Sequence, residues 1–170
     1  MKKETVKKFF EFLEKRERRR EPFAMRIMRR VQKDLDTGKY DNRRKLKGDL
    51  TYGEKEEREG YLQEGDVIIG NLLPWGDVTL PRNLTILGNL GARESKLRIL
   101  PDGLIVRGIL DISETYIKHV GRGMIIEILI AGATRFEELE GRDLTEKTLR
   151  ELFKQKNSKI IEGIDLWEED

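Results

Sequence analysis

The sequence predicts an α+β protein: a short β-solenoid of coils about 20 residues long, with an N-terminal helical hairpin and a C-terminal capping helix. Three observations predict it. A short apolar-x-Gly-x-Leu core recurs along the middle of the chain. Apolar residues before it keep the period of a helix, and a capped helical pattern follows it. The implied organisation is a basic hairpin over residues 1–40, a solenoid of about four to five coils over 41–142, and a capping helix with a closing strand over 143–170.

In chain order, Val6, Phe9, Phe10 and Leu13 fall at i, i+3, i+4 and i+7, one apolar face of a helix. Pro22 suits the first turn of a second helix, in which Ala24, Ile27, Met28, Val31 and Leu35 continue the helical period. Gly38 stops it. The repeat then begins. KLKGDL (45–50), VIIGNL (67–72), TILGNL (85–90) and IVRGIL (105–110) place glycine at 48, 70, 88 and 108, each followed two residues later by leucine. LDISETYIKHV (110–120) aligns with LIAGATRFEEL (129–139) at a spacing of 19.

A coil this short cannot bury its own apolar side, so neighbours must stack and share a core. Leu104, Val106, Leu110, Ile112 and Ile117 are the inward positions. The glycine marks a close backbone approach between two short strands. Leu80-Pro81-Arg82-Asn83 and Leu100-Pro101-Asp102-Gly103 read as turns between coils. Apolar residues also occupy outward positions, at Leu87, Ile105, Ile109 and Ile125. Strands apolar on both faces are usually covered on both, here by the N-terminal helices or a second copy. Beyond the coils, Thr145 is placed to cap TEKTLRELFK, with Leu144 and Leu149 as a hydrophobic staple, and KIIEGIDLW (159–167) reads as a closing strand.

The pattern L-P-x-x-L-x-V-x-G-x-L-x-I-x-x-T-x-I resembles the degenerate leucine-rich-repeat-like β-solenoid repeats of bacterial and bacteriophage proteins, over about residues 65–140. The resemblance implies a scaffold for binding other macromolecules and transfers no catalytic residue. The family's Ser-Gly-Thr turn is Ser113-Glu114-Thr115 here, and Ile128 stands where the last coil should carry glycine.

Composition narrows the chemistry. The chain has 37% hydrophobic and 39% charged residues, the balance of a folded protein with a densely charged surface. Its high Lys, Arg and Glu content is compatible with a heat-loving host. No cysteine means no disulfide framework and no thiolate metal site, and one histidine, His119, rules out a His-rich site. No cofactor is expected. No apolar run is long enough to span a membrane, and the lysine-led N-terminus interleaves charge with its apolar residues, so a cytoplasmic location is expected. Asp111, Glu114 and Glu127 lie on or beside the strands, but so acidic a chain brings carboxylates together by accident, and Ser113 and Thr115 have no triad histidine at a predictable place. His119, near Lys118 and Arg122, could touch phosphate, but GRG at 121–123 is too short for a phosphate-cradling loop.

The expectation is therefore a non-enzymatic module that binds a protein partner or a second copy, in a phage or mobile-element setting implied by the resemblance. Nucleic acid is the alternative. Residues 1–50 hold 18 Lys and Arg against 9 Asp and Glu, and the remaining 16 basic residues face 23 acidic ones. The candidate contacts are Arg18, Arg19, Arg20, Arg26, Arg29, Arg30, Arg43, Arg44, Lys45 and Lys47, with Phe9, Phe10 and Tyr40 able to stack on bases.

Overall fold

The structure is a computed structural model that describes residues 22–167. The chain divides into two compact units, residues 1–41 and 42–170. The helix expected around Val6–Leu13 lies outside the described residues. In the first unit, α1 (Phe23–Asp36) starts behind Pro22 and ends as the Thr37 and Gly38 N–H groups bond Lys33 O and Leu35 O, with Gly38 at φ +70°. Asp34 then accepts from Lys39 Nζ at 3.1 Å and from Tyr40 Oη at 3.2 Å.

The second unit is a parallel β-solenoid of about five turns. Its main sheet is built of rungs. The first is β1 (Lys45–Lys47) with β2 (Leu50–Tyr52), and a short helix α2 (Glu54–Arg58) follows it. The second is β3 (Val67–Ile69) with β4 (Leu72–Pro74), and the third β5 (Thr85–Ile86) with β6 (Leu90–Gly91). After β7 (Ile99–Leu100), the fourth rung is a single strand, β8 (Ile105–Asp111). Then come β9 (Tyr116–Ile117), β10 (His119–Val120) and the fifth rung, β11 (Ile125–Ile130). After β12 (Arg135–Phe136) and α3 (Glu146–Gln155), the last rung is β13 (Lys159–Asp165). Every pairing is parallel, and the register column runs Lys45, Val67, Thr85, Ile105, Ile125, Lys159. The small β7–β10 and β9–β12 sheets form other sides of the coils.

The inward positions expected from the sequence, Leu104, Val106, Leu110, Ile112 and Ile117, are wholly buried. So are their neighbours along the stack, Ile68, Leu72, Ile86, Leu90, Ile126 and Leu129. Of the outward apolar set, Leu87 is buried and Ile105, Ile109 and Ile125 are part-buried.

The glycine column explains why each of the first three rungs breaks into two arms. A Cβ on Gly70 would lie 2.3 Å from Gly48 O, and one on Gly88 2.4 Å from Gly70 O. A Cβ on Gly108 would lie 2.7 Å from Gly88 O. At this bend the missing side chain points along the stack into the backbone of the rung beneath, so only glycine lets rungs close to hydrogen-bonding distance. A polar ladder runs beside it. Asp49 Oδ1 accepts from Asn71 N at 3.0 Å, Asn71 Oδ1 from Asn89 N at 2.8 Å, and Asn89 Oδ1 from Ile109 N at 2.8 Å.

The fifth rung corrects the expectation at Ile128. Ile126 pairs with Val106 but Ile128 pairs with Ile109, so Arg107 and Gly108 together face Glu127. The bend residue is deleted there, not replaced. In β13, Gly163 pairs with Ile128 and so lies in the row of Ile109, and the residues between Ile160 and Gly163, level with Arg107 and Gly108, are Ile161 and Glu162. The far corner is also repetitive in backbone alone: Glu94, Glu114 and Ala133 all take left-handed conformations, φ 58°, 58° and 52°. Glu114 thus takes a left-handed conformation that glycine adopts more readily.

At the C-terminal end, Thr145 caps α3 by accepting from Thr148 N at 3.1 Å. The helix buries Leu149, Leu152 and Phe153 in the solenoid core. Ser158 Oγ donates to Gly121 O and accepts from Met124 N, fastening the entry to β13.

Candidate interaction surface

On the outer face of the second rung, the second arm and the residue after it expose Leu73 and Trp75. Alternation along LLPW turns Leu72 and Pro74 inward and Leu73 and Trp75 outward. Leu73 is 48% and Trp75 55% exposed, far more than any residue of the stack's interior. Glycines make room for both. A Cβ on Gly53 would lie 2.4 Å from the Trp75 ring, so the indole lies flat on the backbone of the first rung. A Cβ on Gly91 would lie 2.9 Å from Leu73 Cδ2. The result is a firm, shallow platform of one ring and one isobutyl group on a hydrogen-bonded sheet.

Farther along this face the same device is closed over. Trp167 lies across Gly132, whose Cβ would be 2.5 Å from the ring, and the Arg93 guanidinium lies 4.9 Å from the ring centroid. Arg93 is held from its other side by an ion pair with Glu114. Beneath lie Asp111, whose Oδ1 accepts from Ser113 N at 3.0 Å, and the wholly buried Ser113, whose Oγ has no hydrogen-bond partner among the described residues. Burial, and then the nearby Asp111 carboxylate, push the pKa of Asp165 above the usual aspartate range. Among the described residues, no group of three His, Asp or Glu side chains could hold a metal ion.

Of the basic residues singled out in the sequence, Arg26, Arg29 and Arg30 belong to the first unit and Arg43, Arg44, Lys45 and Lys47 to the second. Arg18, Arg19 and Arg20 lie outside the described residues. Arg29 and Arg30 are exposed on α1 and Arg26 is half-buried there. Arg43 and Arg44 are used within the solenoid. Arg43 donates to Asn83 O at 2.6 Å, Thr85 Oγ1 at 3.0 Å and Asp66 O at 3.2 Å, bracing the starts of successive coils. Arg44 grips Asp66 through both oxygens, at 3.0 and 2.6 Å, and this hydrogen-bonded pair raises the arginine's pKa further. Asp66 is buried, so the pair anchors the chain where it enters the first rung. Lys45 is half-buried on β1 and Lys47 is exposed.

His119 faces Glu138 at 3.0 Å, and Lys156 Nζ reaches the other oxygen of that carboxylate at 2.5 Å. Burial acts to raise the Glu138 pKa, but Lys156, the Val120 N–H and His119 outweigh it and leave it lowered. The sequence reading missed Trp75, Leu73, Trp167 and Arg93. Their signal was the outward phase of two tryptophans just beyond β4 and β13, each over a glycine of the preceding rung.

The fold defines the class, a short parallel β-solenoid with a C-terminal helix completing its last coil. No family model, curated protein or solved structure matches the chain. Among the described residues no helix is long and apolar enough to cross a membrane.

Proposed function

We propose that the chain is a non-enzymatic binding module that presents the outer face of its solenoid to a protein partner. The observation that carries this reading is the exposed Leu73–Trp75 pair, seated on Gly53 and Gly91. Tryptophan presented rigidly costs little side-chain entropy on binding, and such residues anchor the centres of protein interfaces. The chain running on from Trp75 is held by acids of α2, Asp77 N donating to Glu54 and Thr79 N to Glu57, which favours a partner with an apolar anchor and a basic rim. The likeness of the repeat to solenoids of bacterial and bacteriophage proteins makes host and virion components the first partners to test, in a cytoplasmic setting.

The test is capture by the immobilised full chain beside the variant Trp75→Ala/Leu73→Ser. A protein retained on the parent and lost on the variant supports the reading. In parallel, fluorescence anisotropy with duplex DNA and single-stranded RNA at near-physiological salt examines the alternative. Persistent nucleic-acid binding that is lost in Arg29→Gln/Arg30→Gln, with partner capture unaffected by the Trp75 variant, would overturn it.

A further inference from the structure

We propose that two copies of this chain associate head to head through their first rungs, residues 45–51 pairing antiparallel about Gly48. The inference goes beyond the partner surface at Leu73 and Trp75 and does not rest on it.

The two ends of the solenoid are finished differently. At the C-terminal end α3 seals the core with buried Leu149, Leu152 and Phe153, and Arg150 Nη1 donates to Ile160 O of the last rung at 3.3 Å. At the other end, Leu46 and Leu50 are only partly buried, while Ile68 and Leu72 directly above them are wholly buried. Lys47, Gly48, Asp49 and Thr51 are exposed. Among the described residues β1 and β2 are paired on one side alone. The glycine column also opens here. Gly48, at φ +98°, has nothing among the described residues within 4 Å of its would-be Cβ, where Gly70, Gly88 and Gly108 each meet a carbonyl. A strand edge of this kind is a template for further pairing.

The occupant is identified by the rung's own sequence. Outward from Gly48, K-L-K-G-D-L-T is complementary to its own reverse. An antiparallel copy sets Lys47 against the second copy's Asp49, and Leu46 against its Leu50. Both charge pairs are of opposite sign, and the leucines carry the core across the joint. The bend permits it. A two-fold axis along the bisector at Gly48 exchanges β1 with β2 and keeps both inward faces on the same side, which gives a closed, isologous interface. Head-to-tail stacking is disfavoured by the register column, which would put Lys159 of one copy against Lys45 of the next.

Sedimentation and light scattering of the full chain over a dilution series test the pairing. The expected result is a dimer that dissociates on dilution. Lys47→Glu sets two acids face to face at both sides of the axis and should weaken self-association about tenfold. Asp49→Lys sets two lysines face to face and should weaken it similarly. Mixing these two variants restores opposite charges at both contacts and should return the dimer, which a general loss of folding would not do. Far-UV circular dichroism confirms that each variant keeps its sheet. A monomer at every concentration, an open-ended series of larger assemblies, or a dimer indifferent to Lys47→Glu would overturn the proposal.

Discussion

Replacing Gly88 with alanine isolates the close approach on which the stack depends. Gly88 has no left-handed φ, so the substitution carries no backbone-conformation penalty. The added Cβ would lie 2.4 Å from Gly70 O and 2.8 Å from Gly70 C, and 2.6 Å from Asn71 Oδ1. The amide can swing aside, but the carbonyl belongs to the second rung and cannot. The third rung must therefore lift, stretching the Leu87 N–Ile68 O and Leu72 N–Asn89 O bonds, both 2.9 Å. Overpacking of this kind costs about 1–3 kcal/mol. Disturbing the Asn71–Asn89 bond adds about 1 kcal/mol. The stiffer unfolded chain of alanine offsets about 0.5–1 kcal/mol of that. The net loss is about 1–3 kcal/mol, which for a chain of this size lowers Tm by roughly 3–10 °C. Urea unfolding followed by circular dichroism gives the value, with an unchanged slope showing that the exposed area has not altered. A Gly88→Ala protein as stable as the parent would refute the argument that these glycines are set by rung spacing.

Three further outcomes follow from the same geometry. Leu110→Asp buries a charge in a wholly buried ladder position between Leu90 and Leu129, and should cost several kcal/mol and abolish the folded dichroism signal. Arg44→Ala strips the buried Asp66 of its guanidinium and should lower the urea midpoint, part of the loss being recovered when Asp66→Asn is added. Asp165 has a folded-state pKa raised by burial and Asp111, so its contribution to stability is present below its unfolded pKa and lost as pH rises through the folded one. Asp165→Asn should therefore melt above the parent at neutral pH, and the gap should close below the ordinary aspartate pKa of about 3.9.

The solenoid was legible because its strictest constraint falls on one residue type. A glycine forced by a backbone contact recurs as a letter at 70, 88 and 108, preceded by Gly48 at φ +98°, and the leucine two places on fixes the inward phase. Where the constraint falls on backbone shape alone, the letters are free to differ. Glu94, Glu114 and Ala133 hold one corner in one conformation, and the alanine shows that no particular side chain is required there. The deletion in the fifth rung was misread for a related reason. Counting along the chain assigns a glycine's place to Ile128, but the ladder shifts register to keep Ile128 opposite Ile109. The short helix α2 has no buried face and so leaves no apolar period to detect.

Charge was the least legible feature, because a basic residue announces its sign and conceals its partner. Arg43 and Arg44 look like their neighbours in a run of cations, yet one braces two loops through carbonyl oxygens and the other closes on Asp66. Neither bond has a signature at fixed spacing, since Asp66 is 22 residues away and the carbonyls belong to no residue type. The tryptophans were hidden differently. Each rests on a glycine of the preceding rung, Trp75 on Gly53 and Trp167 on Gly132, so the pairing is visible only after the register is known. Yet the same device has opposite outcomes. Trp167 is closed over by Arg93 and Glu114, while Trp75 is more than half exposed. A ring that needed only to fill space would be covered at both places, and this difference is the reason the Trp75 platform is the face proposed for a partner.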